Sequence, residues 1–483
     1  MTEADEKDVI ILDLYNNSKE NVSDLDDNYL DFLFSKIKDT GSLWIIVNNK
    51  YAGDILIPNS YDIADKVILK GLCLRNIIIW FLPLNNNISR LTNRYAHILF
   101  FVKEPKQYFF DKDTIREKHI WKDVEWGKRE SRYNPLGKDP SNFWLMIEDD
   151  SKGRKTKHIP LNFQDVIKRI ILCSCPKGGN ALVFTNKKIN YPKSYNISCK
   201  RAGKYIEKKQ IKLFTCKKSK SSNLSKRKTS YKVLNKSSEN MKEVKNNSIN
   251  LIVTSPPYWD MKNYQIKDQI GYSDDYEEYL TRIRKVWKEC YRVLSQSGSF
   301  WLNINSKTQD RRIKMMQFDF YKQCISLGFK LWDIIIWHKS VSGPAADNNL
   351  TDKFEYVLVF YKSNISPLIN KSISSDYLIK NLKGLGNVWN INRKWGNIGK
   401  GYPHPAMYPD ELIERILNIA TVENDLVLDP FLGSGTTLIV SRKTNRSCIG
   451  YEINKDYFKI LKERLTLEQE DTLFNQYSKV EFA

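Results

Sequence analysis

The sequence predicts an α/β protein built on a doubly wound, mostly parallel sheet, present twice. Three observations predict it. Short apolar runs alternate with longer amphipathic segments along the second half, the rhythm of strand–helix–strand units. Two of those runs close in stiff or Gly-rich turns, as strands do where they meet a ligand at the carboxyl edge of an open sheet. Similar segments, in the same order, occupy the first half.

From residue 231 onward the expected order starts with a strand over 249–254 and a helix over 276–294. A strand over 300–305, a helix over 315–327 and strands over 332–338 and 355–361 follow. A polar stretch from Ser363 to Lys400 interrupts the rhythm. A helix over 409–419, a strand over 426–428, a helix over 436–443, a strand over 448–452 and a helix over 456–468 complete it.

The strand at 249–254 runs into Thr254-Ser255-Pro256-Pro257-Tyr258-Trp259. Two prolines remove two backbone donors and hold the turn stiff, leaving carbonyls, a hydroxyl and an aromatic ring facing outward. Acceptors beside a flat ring suit an amino group on a planar heterocycle. The second motif is Asp429-Pro430-Phe431-Leu432-Gly433-Ser434-Gly435-Thr436-Thr437, a strand end that leads into a helix. Gly433 and Gly435 let the backbone approach a ligand closely. The next strand ends in Glu452, about twenty residues on, the offset at which a carboxylate meets ribose hydroxyls in dinucleotide folds. The turn has neither the Lys of a phosphate-binding loop nor the dinucleotide spacing of glycines. An adenosine-bearing ligand without a pyrophosphate fits it better.

Together the two motifs resemble the amino-methyltransferases of DNA in their permuted β arrangement, where the catalytic motif precedes the cofactor motif. The resemblance covers about Tyr231 to Leu465 and includes Gly298-Ser299-Phe300-Trp301, Ile334-Ile335-Ile336-Trp337-His338-Lys339 and the segment His404-Pro405-Ala406-Met407-Tyr408-Pro409. It implies a Rossmann-like fold, S-adenosyl-L-methionine as cofactor and double-stranded DNA as partner. Ser255, Pro256, Pro257 and Tyr258 become the catalytic set. Asp429, Pro430, Phe431, Gly433, Ser434, Gly435, Thr436, Thr437 and Glu452 become the cofactor cradle, with His404 and Pro405 entering its flanking helix. The Ser of TSPPY resembles the cytosine-N4 branch, so the expected product is N4-methylcytosine on a flipped-out base. Adenine-N6 methylation is the second reading, a non-catalytic DNA-binding module the third and RNA methylation a weaker one. Protection against a companion restriction endonuclease follows from the family alone.

The first half echoes the second. Gly41-Ser42-Leu43-Trp44 answers Gly298-Ser299-Phe300-Trp301, and Ile77-Ile78-Ile79-Trp80 answers Ile334-Ile335-Ile336-Trp337. Arg94 to Phe101 answers Lys353 to Phe360, Asn142-Phe143-Trp144 answers Asn387-Val388-Trp389, and His158-Ile159-Pro160 stands where His404-Pro405 stands. The chemistry is missing there. Leu12-Asp13-Leu14-Tyr15-Asn16 replaces Thr254 to Tyr258, and Val183-Phe184-Thr185-Asn186 replaces the start of the Gly-rich turn. The expected organisation is a degenerate, catalytically silent domain over 1–200, a Lys/Ser-rich linker over 201–230 and a catalytic domain over 231–483. The polar stretch at about 363–400 is read as a target-recognition insertion. A monomer that carries its own silent partner, an internal pseudo-dimer, is the corresponding assembly.

The 483 residues carry a formal charge of +21, an electrostatic footprint for phosphates. Arg393, Lys394 and Lys400 in the polar stretch, and Arg132 and Lys138 in a basic loop of the first half, are the candidate DNA contacts. The eight cysteines are scattered, without the paired spacing of a zinc site, so no metal is expected. None stands in a Pro-Cys motif of the kind that attacks a cytosine carbon, which argues against carbon-5 methylation. No apolar stretch has the length of a membrane span and the N-terminus has no secretory pattern, so the expected compartment is the cytoplasm.

Overall fold

A computed structural model describes residues 6–16, 25–83, 91–117, 134–149, 156–191, 194–200, 229–261, 263, 266, 268–339, 349–363, 386–393, 409–470 and 480–483. The expected linker lies almost wholly outside the described residues, as does most of the expected recognition insertion. So do His404, Pro405, Lys394, Lys400 and Arg132.

The first half runs β1 (Lys7–Asp13), α1 (Asp27–Lys36), β2 (Ile37–Val47), a hairpin of β3 (Lys50–Ala52) and β4 (Ile55–Ile57), and α2 (Asn59–Leu69). It continues through β5 (Cys73–Phe81), β6 (Tyr95–Val102), β7 (Phe143–Trp144), β8 (Met146–Asp149), β9 (Thr156–Ile159), α3 (Phe163–Ser174), β10 (Asn180–Phe184) and β11 (Asn196–Lys200). The second half runs β12 (Tyr231–Leu234), β13 (Ile249–Thr254), α4 (Tyr276–Val293), β14 (Leu294–Ile304) and a hairpin of β15 (Lys307–Gln309) and β16 (Arg312–Lys314). Then come α5 (Met316–Ser326), β17 (Lys330–His338), β18 (Phe354–Tyr361), β19 (Val388–Asn390) and α6 (Asp410–Ala420). The half closes with β20 (Leu426–Asp429), α7 (Thr436–Lys443), β21 (Ser447–Tyr451), α8 (Lys455–Glu470) and β22 (Val480–Phe482).

Local chemistry explains the boundaries. Asp275 caps α4 by accepting the Glu278 N–H, and the Glu278 side chain returns the bond to the Asp275 N–H, a reciprocal capping box. Tyr279, Ile283, Val286, Trp287, Cys290 and Val293 then recur at three- and four-residue spacing and are buried against the sheet. The helix stops where Leu294 turns extended to begin β14.

The two sheets share one topology. The first has strand order β11-β10-β1-β2-β6-β5-β7. The second, taken in the opposite direction, reads β22-β12-β21-β20-β13-β14-β18-β17-β19. Its last seven strands match the first sheet one for one, and β22 and β12 extend the edge. The likeness extends to detail. Both β1–β2 and β13–β14 shift register at the same point, and the Trp44 and Trp301 indoles both donate to the Ser two residues earlier. The expectation of a mostly parallel sheet holds except at β6 and β18, which run antiparallel to both neighbours. Each follows the preceding strand with no described crossover helix between, and a parallel return needs such a crossover.

The halves meet about a pseudo-two-fold axis. The Asn142 N–H donates to the Thr351 carbonyl at 2.9 Å, as the Asn387 N–H donates to the Thr92 carbonyl at 3.0 Å. Asn142 Oδ1 accepts the Lys353 N–H at 3.0 Å, and Asn387 Oδ1 accepts the Arg94 N–H at 2.9 Å. Equivalent side chains also face each other: Tyr61 lies 5.2 Å from Phe318, His97 lies 6.3 Å from Tyr356, and Lys322 pairs with Asp65. The same patch of each half meets its counterpart, the geometry of an isologous dimer interface. One apolar cluster, containing Leu12, Tyr61, Phe101, Trp287, Phe318 and Phe360, runs through both halves. Among the described residues no helix is long and apolar enough to cross a membrane.

Candidate active site

β13 and β20 are parallel neighbours, with Leu251 opposite Val427 and Ile252 opposite Leu428. Their carboxyl ends therefore emerge side by side, and both sequence motifs start from this edge. The junction is bonded directly. Thr254 Oγ1 donates to one oxygen of Asp429 at 2.7 Å, Thr437 Oγ1 donates to the other at 2.6 Å, and the Phe431 N–H donates at 3.0 Å. Burial pushes the Asp429 carboxyl up to about 6, against those three donors. Asp429 thus ties the proline turn, the Gly-rich turn and the start of α7 into one unit.

In the Gly-rich turn the backbone takes left-handed values at Gly433 (φ 54°) and Gly435 (φ 84°). Gly435 is also the N-cap of α7, and a Cβ there would lie 2.1 Å from a Leu461 methyl. Ser434 is buried; Arg464 donates to its carbonyl at 2.6 Å and to its hydroxyl and that of Thr436 at 3.2 Å. Glu452 stands just beyond β21 and accepts the Gly433 N–H at 2.8 Å and the Asn454 N–H at 2.7 Å. Burial raises its carboxyl to about 7.

In the proline turn the Pro257 carbonyl accepts the Tyr279 hydroxyl at 2.7 Å, which fastens the turn to α4. Trp259 is buried, adopts φ 49° and donates its indole N–H to the Asp274 carbonyl at 2.9 Å. It sits edge-on to Tyr276, with Lys307 and Lys314 over its ring. The Tyr258 hydroxyl is the centre of a network that motif reading did not find. It donates to Glu355 Oε2 at 2.9 Å and accepts from Asn303 Nδ2 at 2.8 Å and from Ser255 Oγ at 3.3 Å. Asn303 Nδ2 also reaches Glu355 Oε2 at 2.7 Å, and Lys339 Nζ bonds Glu355 Oε1 at 2.9 Å. Burial opposes the charge on Glu355, but the Lys339 ammonium and the bonds from Asn303 and Tyr258 hold its carboxyl below the usual range. The signal for these residues was present as a Glu within the apolar strand 354–361 and a Lys closing the run 334–338. A charge in a buried run needs a partner, and sequence alone does not say which.

Arg393, an exposed candidate DNA contact, lies 3.9 Å from Glu355. Lys138 lies elsewhere, at the seam between the halves. Its backbone pairs with Glu117, and its charge bears on Lys353. Among the described residues no group of three or more His, Cys, Asp and Glu could hold a metal.

In the first half the corresponding edge is closed by its own side chains. Strand register places Asp13 at the position of Ser255 and Val183 at that of Asp429. Asp13 accepts Thr185 Oγ1 at 2.6 Å and both the backbone and side-chain N–H groups of Asn16. The Tyr15 ring lies 4.8 Å from Trp80.

A family profile described as DNA methylase, covering the N6 and N4 enzymes, matches residues 15–184 and 249–463, more than half of the chain. The type II methyltransferase M.HpaI of Haemophilus parainfluenzae is 31% identical over 251 residues, 50% of this chain and 74% of that protein. The orphan methyltransferase M.BamHII of Bacillus amyloliquefaciens is 32% identical over 251 residues, 45% of this chain and 89% of that one. The PvuII DNA methyltransferase, a cytosine-N4-specific enzyme of known structure, is 22% identical over 52% of this chain and 89% of its own, with a TM-score of 0.41. With matches in both halves and the two motif-bearing turns bonded at one sheet edge, the chain belongs to the N6/N4 DNA methylase family.

Proposed function

We propose that the chain is a site-specific DNA methyltransferase that uses S-adenosyl-L-methionine to methylate the N4 amine of a flipped-out cytosine. One observation carries the reading: the Thr254–Asp429 bond joins the strand end that opens the proline turn to the Gly-rich turn, so an aromatic acceptor corner and a left-handed glycine backbone lie side by side at one sheet edge. The residues fit an adenosyl group. Backbone N–H groups of Asn454, Gly433 and Ile453 bond Glu452, and a carboxylate offers about four acceptor positions, so about one remains for a ribose hydroxyl. Gly433, Pro430 and Phe431 would line the approach, while Asp429, Ser434, Gly435 (packed against Leu461), Thr436 and Thr437 would hold that backbone in place.

The bound cofactor supplies an electrophilic methyl group on a sulfonium. The protein's work is alignment. Tyr258 offers its ring face to the extruded base, and Ser255 Oγ with the Pro256 carbonyl accepts the two amine N–H bonds. Those bonds draw the nitrogen toward tetrahedral geometry and concentrate a lone pair otherwise delocalised into the ring. The reacted nitrogen, now cationic, is acidic enough to lose its proton through the same acceptors to water. Ser255 in place of a carboxylate favours the cytosine-N4 product.

The first half, in this reading, is a silent partner that fills the surface a second copy would use. It braces the active half through Asn142, which holds Lys353, two residues before Glu355. Domain limits of 1–200 and 231–483 fit the two sheets, which end at Lys200 and begin at Tyr231. Arg393, 3.9 Å from Glu355, would supply phosphate or base contacts with Lys394, Lys400, Arg132 and Lys138. A companion endonuclease belongs to the same reading; the relative M.HpaI is named a type II methyltransferase, whereas M.BamHII is named an orphan.

The test is nucleoside analysis of unmethylated genomic DNA after incubation with labelled S-adenosyl-L-methionine. N4-methylcytosine supports the reading and N6-methyladenine replaces it with the sister specificity. No labelled nucleoside, together with no cofactor heat in calorimetry, would reduce the chain to a DNA-binding module.

A further inference from the structure

The buried charges behind Tyr258 are an energetic anomaly. Lys339 is 1% exposed and Glu355 13% exposed at the side chain, and replacing a buried ion pair by apolar residues is often neutral or stabilising. The first half performs that replacement within the same molecule. Strand register places Ile46 at the position of Asn303 and Ala96 at that of Glu355. Leu82 stands at the position of Lys339, and the backbone bond from Leu82 to Arg94 repeats that from Lys339 to Lys353. All three replacements are apolar and buried in the core of the first half. The fold therefore has no need of the charged set. The set also carries a cost, since Asn303 Oδ1 is buried without a hydrogen-bond partner. It persists in the half that keeps the Ser-Pro-Pro-Tyr turn.

We propose that Glu355, anchored by Lys339 and Asn303, is the positioning residue that fixes the Tyr258 ring and, through Tyr258, turns the Ser255 hydroxyl into an acceptor for the substrate amine. The direction of each bond follows from chemistry. Glu355 can only accept, so the Tyr258 hydroxyl donates to it. Tyr258 oxygen is then left to accept, and it takes the Ser255 proton as well as an Asn303 N–H. A Ser255 hydroxyl whose proton is committed inward presents only lone pairs to the cleft. Without Glu355 the Tyr258 proton is free to point at Ser255, and the Ser255 proton at the amine, where it repels the N–H it should accept. The charged and titratable groups that face Glu355 are Lys339, Arg393 and Tyr258, from β17, the segment after β19 and the proline turn. The inference rests on the methyltransferase reading and assigns no new chemistry to it.

The experiment compares three forms of the full chain: Glu355→Gln, Lys339→Met, and the triple Asn303→Ile, Lys339→Leu, Glu355→Ala, which installs the first half's residues. Methyl transfer to unmethylated genomic DNA, affinity for S-adenosyl-L-methionine and thermal midpoint are measured on each. The triple variant is expected to melt at or above the wild-type temperature, bind cofactor within about twofold and lose turnover by about 100-fold or more. Glu355→Gln keeps the volume and should lose turnover by about 10-fold or more with KM for the cofactor unchanged, even where the triple variant fails to fold. Lys339→Met removes the nearer cation from a buried carboxylate and leaves only exposed Arg393 at 3.9 Å, so the acid limb of the kcat profile should move toward neutral, a shift that a purely structural role does not produce. Turnover of Glu355→Gln within about threefold of wild type, or an unmoved acid limb in Lys339→Met, overturns the proposal. A wild-type chain that neither binds cofactor nor labels DNA refutes the underlying function, and this inference with it.

Discussion

Cofactor binding should be linked to a proton at Glu452. Its carboxyl is raised to about 7 by burial, while a hydroxyl donor from a ribose favours the charged form and would pull it back down. Only the ionised fraction is ready to bind. With a midpoint of about 7 that fraction is about one in eleven at pH 6 and about ten in eleven at pH 8, so affinity should rise about tenfold across that window. The same shift acts on stability. A raised folded value contributes stability that is full below the ordinary carboxylate value of 4.5 and is lost as pH rises through about 7. The loss is at most about 3 kcal/mol, from 2.5 pH units at 1.36 kcal/mol each, trimmed by the partial exposure of the residue. Methylthioadenosine is the suitable probe, because it keeps the ribose and lacks the titrating amino acid of the full cofactor. Titration calorimetry at pH 6 and pH 8, in buffers of different ionisation heat, measures affinity and proton release together. Asp429→Asn serves as the control for the neighbouring carboxyl, which burial raises to about 6. Equal affinity at both pH values with no buffer-dependent heat would refute the role of Glu452.

Gly435→Ala should destabilise the chain by about 2–4 kcal/mol, from a left-handed backbone and a Cβ driven against Leu461, read as a lower urea midpoint. Tyr258→Ala should cut turnover sharply while methylthioadenosine still binds; unchanged methylation would remove its stacking role. Asp13→Asn in the first half should leave kcat at the wild-type value, and a loss of activity without a lower thermal midpoint would show that half to be catalytic. Asn387→Ala removes bonds to Arg94, Asn93 and buried Asp333, and should cost about 2–3 kcal/mol in chemical denaturation.

Much of the fold was legible because its signals are local. The strand at 249–254 and the helix at 436–443 coincide with β13 and α7, and most other boundaries fall within two residues, since caps and apolar periodicity mark them; β14 is the exception, starting at Leu294, ahead of the expected residue 300, because the polar residues that follow Leu294 hide the strand start. The short strands β12, β19 and β22 and the two hairpins passed unread. Their few residues carry no period long enough to register, and partners far along the chain make them strands. The first-half replacements Asp13 and Val183, aligned by resemblance alone, fall at the register positions expected for them.

The amino-acid order by itself determined which turns could carry chemistry, because proline, glycine and a terminal carboxylate act on their own backbone. Only the tertiary structure decided what stands behind them. Tyr258 and Glu355 lie 97 residues apart in the chain, and the Asn142 and Asn387 clasps join segments more than 200 residues apart. A charged residue in an apolar run announces that it needs a partner; strand order and register choose it.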